Sequence, residues 1–205
     1  MTRSSSPIPE TLISQARKGD HNQLGQLLER YRRYLRLLTR LQIDQRLQGK
    51  VDASDVVQET LFQAHQSFSE FQGTTEAEFL AWLRTIMASK VANLVRRFLG
   101  TQSRDVRLER ELRVELDHSS GGLERSLADS GSSPSEGATR RERVVLLADA
   151  LERLPPDYRE VMILHHLKGH PLPEVARQLG KSVESVRKLW ARGLANMRTL
   201  LKESS

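Results

Sequence analysis

Residues 173–201, PEVARQLGKSVESVRKLWARGLANMRTLL, show the pattern of a short helix, a tight turn and a longer second helix. The turn falls at Gly180, because glycine readily adopts the left-handed backbone that ends a helix. Ser182 then stands where an N-cap is expected, and Glu184 suits the positively polarised first turn. Apolar residues at three- and four-residue steps predict one buried face of the second helix: Val186, Trp190, Leu194, Met197 and Leu201.

The opposite face of this second helix is polar and mostly basic. It carries Ser185, Arg187, Lys188, Arg192 and Arg198. One bracing helix followed by one basic helix is the layout of a helix-turn-helix, whose second helix lies in the DNA major groove. The alternative is a helical hairpin whose basic face is merely solvated.

Composition limits the classes of protein that remain. The 205 residues contain 38% hydrophobic residues and carry a net charge of +6, so the chain can form small cores and favours a polyanionic partner. Without cysteine it has neither disulfides nor thiolate metal sites. Neither a signal peptide nor an apolar run of membrane-spanning length is present, which predicts a cytoplasmic protein.

Helical periodicity extends over most of the chain, and no stretch alternates with a period of two. The start and stop signals predict helices over 10–18, 21–43, about 54–71 and 76–98, a charged and mostly exposed extension over 104–117, then helices over 139–154 and 157–168. The N-caps include Asp20, Asp52 or Ser54, Thr75 and Asp157. Residues 117–138 are rich in Ser and Gly and predict a flexible linker. We therefore expect an all-α protein with two helical domains, at 10–116 and 139–202, the second holding the helix-turn-helix.

An acidic and amide cluster, Asp55, Gln58 and Glu59, stands near the start of the helix that begins at about residue 54. It would repel phosphates, so it is not expected to face DNA. Either it stabilises the positive end of the helix dipole or it binds a protein partner.

Two segments resemble a known family. DASDVVQETLFQAHQSFSEFQG followed by FLAWLRTIMASKVANLVRRF is similar to the sigma-two domain of bacterial RNA polymerase sigma factors. LPPDYREVMILHHLKGHPLPEVARQLGKSVESVRKLWARGLANMRTLL is similar to their sigma-four domain. Two such domains with only a short linker between them are the plan of the extracytoplasmic-function (ECF) group.

The resemblance implies a role for each cluster. Asp55, Gln58 and Glu59 would bind the core polymerase. Ser89, Lys90, Asn93, Arg96 and Arg97 would bind the −10 promoter element, with Ser89 standing where many members carry a base-contacting Asn. Glu184, Ser185, Arg187, Lys188 and Arg192 would bind the −35 element. Leu189 departs from the family pattern, in which Arg is common.

The function implied is that of a non-enzymatic sigma factor, which directs core RNA polymerase to promoter DNA and assists initiation. An anti-sigma protein stays open as a further partner. The sequence predicts no cofactor and no metal site, because His165, His166 and His170 lack a carboxylate at ligand spacing. The alternatives are a stand-alone helix-turn-helix regulator and an RNA-binding or nucleoid-associated protein.

Overall fold

A computed structural model describes residues 8–46, 52–99, 106–126 and 136–204 of the chain. Within these ranges the backbone forms helices and turns and no strand, which confirms the all-α prediction. The chain separates into two compact units, Met1–Gly121 and Gly122–Ser205. The polar segment 1–7 and the expected C-cap Gly100 lie outside the described residues.

The first unit contains five helices in the described ranges. They are α1 Pro9–Arg17, α2 His21–Arg46, α3 Ala53–Gln66, α4 Glu76–Leu99 and α5 Val106–Ser126, the last of which runs past the unit boundary. Asp20 caps α2 by accepting the N–H of Gln23, and Asp52 caps α3 by accepting that of Ser54. Thr75 and Glu78 form the predicted capping box at the start of α4. Helix α3 ends at Gln66, five residues earlier than predicted, and a 3₁₀ turn, Phe68–Glu70, follows it.

Aromatic side chains build much of this unit's core. The ring centroid of Phe71 lies 5.1 Å from that of Trp82 and 5.5 Å from that of Phe79. Phe68 packs edge-on against both Phe79 and Trp82. Phe79 is fully buried. This packing confirms the expectation that Phe79 and Trp82 are core residues rather than a platform for stacking bases.

Helix α5 corrects the expected start of the linker. Residues 117–126 were expected to be flexible, but they continue the helix. The reason is that their serines satisfy polar groups of α2. Tyr34 donates to Oγ of the buried Ser120 at 2.9 Å, and Gln42 donates to Ser119 Oγ at 3.2 Å. Leu112 and Leu116 are also fully buried, so the extension is less exposed than predicted. The rest of the expected linker, up to 135, lies outside the described residues.

The second unit contains α6 Glu136–Arg153, α7 Pro156–Met162, a π-helical turn Ile163–Leu167, α8 Leu172–Leu179 and α9 Val183–Ser204. Its core joins Val161 and Leu164 to residues of α8 and α9, namely Val175, Ala176 and Val186. Asp157 was expected to cap α7, but Pro155 is the N-cap and the side chain of Asp157 does not cap the helix. Pro156 at the first helical position already fixes the entry of the chain, since proline is preorganised there.

Candidate nucleic-acid and polymerase interface

The turn between α8 and α9 has the geometry that the sequence predicts. Gly180 has a φ of 61°, and the N–H of Lys181 donates to the carbonyl of Ala176 at 2.9 Å, which closes the end of α8. Ser182 Oγ then accepts the N–H of Ser185 at 3.2 Å and caps α9. The two helices are thereby fixed relative to one another by local backbone chemistry.

Helix α9 exposes the charged side chains that the sequence analysis assigned to DNA. Glu184, Arg187, Lys188 and Arg192 are exposed, and Ser185 is half-buried. Glu184 lies 3.1 Å from Arg187 Nη1 and 3.8 Å from Lys188 Nζ. Exposed helical pairs of this kind are worth only about 0.3–0.5 kcal/mol, so both cations can exchange Glu184 for a base or a phosphate at little cost.

The inner face of α9 is held by α7 and the π-helical turn. Gly193 approaches α7 so closely that an added Cβ would lie 3.2 Å from Met162 Cγ. Trp190 Nε1–H donates to Nε2 of His166 at 2.8 Å, which requires that nitrogen to be unprotonated. Burial lowers the pKa of His166 and the neighbouring His165 lowers it further, in agreement with a neutral ring. The histidines therefore brace α9, and the described residues include no cluster of three or more metal-ligating side chains.

The C-terminal part of α4 presents the second expected DNA-binding group. Asn93 and Arg97 are exposed, whereas Ser89 and Lys90 are half-buried. Arg96 differs from them, because its side chain is only 12% exposed and forms an ion pair with Glu109 of α5 at 3.2 Å. It also donates to the side chain of Asn93. Arg96 thus positions Asn93 and joins α4 to α5, while Arg97 is the cation that faces solvent.

Helix α3 exposes all three residues of the acidic and amide cluster. Asp55, Gln58 and Glu59 are exposed, while Val56, Val57 and Leu61 on the other side of the helix are buried. The sequence analysis missed Phe62, whose side chain is 64% exposed. Its position three residues after Glu59 was the available signal, since residues at that spacing share a helix face.

Arg17 of α1 was also missed, and it fixes the connection that leads from α3 to α4. Its Nη2 donates to the carbonyl of Phe71 at 2.9 Å and to that of Gly73 at 2.7 Å. Gly73 has no room for a side chain, because an added Cβ would lie 2.5 Å from the Phe71 ring. No sequence pattern links residues so far apart.

Comparison with known protein families gives two matches on this chain, in the order of the two units. The model of sigma-70 region 2 matches residues 27–100, and the model of sigma-70 region 4 matches residues 145–197. The first match covers α3 and α4, and the second covers the helix-turn-helix.

Two curated relatives match nearly the whole chain. The RNA polymerase sigma factor NccH of Alcaligenes xylosoxydans xylosoxydans is 27% identical over 96% of both chains. The ECF RNA polymerase sigma factor BldN of Streptomyces coelicolor is 30% identical over 95% of this chain and 66% of its own length. A solved structure of CnrH in complex with the cytosolic domain of CnrY is 26% identical over 96% of this chain and 99% of that chain, with a TM-score of 0.34.

Regions 2 and 4 on one chain, with the exposed basic helix and the exposed acidic face, define a sigma factor of the sigma-70 family, the subunit that directs RNA polymerase core enzyme to promoter DNA. Within that class the chain belongs to the ECF group. The described residues contain no helix long and apolar enough to cross a membrane.

Proposed function

We propose that the chain divides promoter recognition and polymerase binding among three surfaces. The exposed face of α9 reads the −35 element, the C-terminal part of α4 holds the −10 element, and the acidic face of α3 binds the core polymerase. Catalysis belongs to the polymerase, and the protein acts beside it in the cytoplasm. An anti-sigma protein as a further partner stays a prediction from the family resemblance.

The α9 assignment depends on one observation above all, the left-handed turn at Gly180 followed by the Ser182 cap. It places Glu184, Ser185, Arg187 and Lys188 in the first two turns of an exposed helix, where a groove-bound helix meets base edges. Arg187 suits guanine, because its guanidinium can donate two hydrogen bonds to O6 and N7. Arg192 lies about 7.5 Å farther along the helix, at 1.5 Å per residue, and suits a phosphate.

The α4 assignment uses Asn93 and Arg97 as exposed contacts, with Lys90 and Ser89 one turn before them. Cations that track a phosphate backbone beside polar groups for unstacked bases suit single-stranded DNA, which an opened −10 element provides. Arg96 contributes by holding the side chain of Asn93 rather than by direct contact, since its side chain is only 12% exposed and its Nη2 contacts both Asn93 and Glu109.

The α3 assignment follows from charge. Asp55 and Glu59 are exposed carboxylates that would repel DNA phosphates, so they suit a protein surface that carries cations. A stand-alone helix-turn-helix regulator binds DNA without polymerase and does not require an acidic face of this kind. Co-purification with core polymerase discriminates between the two functions.

The −35 assignment is tested by alanine variants at three exposed arginines of α9. Holoenzyme binding is measured on a series of single-base −35 substitutions at several salt concentrations. Arg187→Ala should cost roughly 1–3 kcal/mol on the preferred promoter and relax preference at one position. Arg192→Ala should weaken every sequence about equally and lower the salt slope by about one.

Arg198→Ala is the matched control. Arg198 is exposed on the same helix but lies about 16 Å beyond Arg187, outside the reach of a groove about 12 Å wide, so its loss should change neither affinity nor preference. A uniform loss across all sequences in Arg187→Ala would make Arg187 a phosphate contact and refute the proposed register of α9.

A further inference from the structure

Phe62 is the one aromatic side chain among the large hydrophobic residues that the described part of the chain leaves exposed. The others in that group are Ile8, Val114 and Val183. Exposed apolar residues are common singly and need no explanation by themselves. What distinguishes Phe62 is its position among the residues around it.

The first unit packs a cluster of other aromatic side chains together in its core. Phe68, Phe71, Phe79 and Trp82 pack against one another with centroid separations between 5.1 and 6.4 Å. Phe68 lies six residues after Phe62 and is buried. Phe62 makes no ring contact within the described residues and points away from this cluster, since Leu61 and Ala64 occupy the buried side of α3.

The residues on the same face of α3 are polar or acidic. Asp55, Gln58 and Glu59 precede Phe62 by seven, four and three residues, so the four side chains lie along one stripe. Neither Asp55 nor Glu59 has an ion-pair partner among the described residues. An exposed aromatic ring flanked by unpaired carboxylates has the composition of a protein interface, with an apolar anchor and a polar rim.

We infer that Phe62 is the apolar anchor of the polymerase-binding face, and that it enters an apolar pocket of core RNA polymerase surrounded by Lys or Arg side chains. The inference rests on the proposed role of Asp55, Gln58 and Glu59 and adds to it a residue whose loss costs more affinity than the loss of either carboxylate. The carboxylates contribute charge complementarity, which favours encounter and orientation more than binding strength.

The test measures affinity for purified core polymerase by competition with labelled wild-type protein, at about 0.1 M and about 0.5 M salt. Phe62→Ala should lower the affinity about tenfold or more at both salt concentrations, because apolar burial is not screened. Glu59→Gln should lower it less, and the loss should shrink at the higher salt. Val114→Ala is the matched control, since Val114 is 49% exposed on α5 of the same unit, and it should bind as wild type does.

Melting curves of the free variants should match that of wild type, as expected for a side chain so exposed. If Phe62→Ala binds normally while Glu59→Gln binds weakly, the assignment of Phe62 as the anchor is refuted. The assignment of the acidic face of α3 to polymerase binding is then retained. If both bind normally, the polymerase face itself is wrong. If wild-type protein alone is a dimer in sedimentation and Phe62→Ala is a monomer, Phe62 belongs to a contact between copies of this chain and the inference is overturned.

Discussion

Buried polar side chains determine how the first helices meet. The Tyr31 hydroxyl donates to Oε1 of Glu76 at 2.7 Å, and Glu76 is only 5% exposed. The backbone N–H of Glu76 donates in turn to Glu10 of α1 at 3.1 Å. Burial raises the pKa of Tyr31 far above its ordinary value, and the hydrogen bond to Glu76 raises it further, so the hydroxyl stays a donor.

Tyr31→Phe should therefore reduce the free energy of unfolding by about 1–3 kcal/mol, because it leaves a buried oxygen of Glu76 without this donor. Urea unfolding followed by circular dichroism measures the loss. Glu76→Gln in the Tyr31→Phe background should recover part of it, since an amide is less costly to bury than a carboxylate. Equal stability of Tyr31→Phe and wild type would show that the hydrogen bond contributes nothing.

The same pair predicts an alkaline limit to stability. The pKa of Tyr31 is higher in the folded chain than its ordinary value of 10.0, so its contribution is complete below pH 10 and is lost as the pH rises beyond that. Wild-type protein should lose more stability than Tyr31→Phe as the pH rises above about 10. Parallel losses in the two proteins would contradict this linkage.

At the scale of the element, the turn at Gly180 sets the angle at which α9 leaves α8. Its φ of 61° lies in the left-handed region, which costs a residue with a Cβ about 1–2 kcal/mol. An added Cβ would meet no neighbouring atom within 4 Å, so the cost comes from the backbone alone.

Gly180→Ala should destabilise the second unit by about 1–2 kcal/mol and weaken −35 binding, because α9 must shift to relieve the strain. Gly25→Ala is the control, and it should change the stability in the opposite direction. Gly25 lies inside α2 with open space around it, so alanine there should stabilise the helix by up to about 1 kcal/mol. Thermal melts measure both, and an unchanged melt for Gly180→Ala would show that the turn relaxes freely.

Sequence reasoning succeeded for elements whose ends depend on local chemistry. Each predicted cap accepts a hydrogen bond from a backbone N–H within three residues, so a short stretch of sequence is enough to find it. These caps are Asp20, Asp52, Thr75 with Glu78, and Ser182. It was wrong at Asp157, where Pro156 already fixes the first turn of α7. It was also wrong at the start of the linker, where Ser120 bonds to Tyr34, 86 residues away. Contacts across such distances leave no local pattern.

The candidate site shows the same division. The exposed sides of α3, α4 and α9 follow from periodicity, and the structure exposes every side chain of the acidic face as expected. The pairing of Arg96 with Glu109 does not follow, because it depends on how α5 packs on α4. Phe62 was within reach of the periodicity, because it lies off the face of α3 that Val56, Val57 and Leu61 bury, but it was passed over.

At the scale of the whole molecule, each unit is compact by itself, and the proposed function assigns separate binding surfaces to each. The second unit packs Val161 and Leu164 against Val175 and Val186 within its own chain segment. A fragment of residues 136–205 should therefore fold alone, with helical circular dichroism and a cooperative melt, and should bind −35 DNA weakly. A fragment that stays unfolded would show that the second unit depends on the first.

In the proposed function, one chain couples core polymerase to a promoter through separate surfaces. Run-off transcription with purified core polymerase, followed by mapping of the start sites, tests it most directly. Wild-type protein should produce transcripts from fixed start sites that core polymerase alone does not use. Glu59→Lys should stay folded and lose these transcripts, because it fails to bind core polymerase. Arg187→Ala should reduce them at promoters whose −35 element carries the base that Arg187 contacts. Normal transcripts with Glu59→Lys, or start sites that do not depend on the added protein, would contradict the claim.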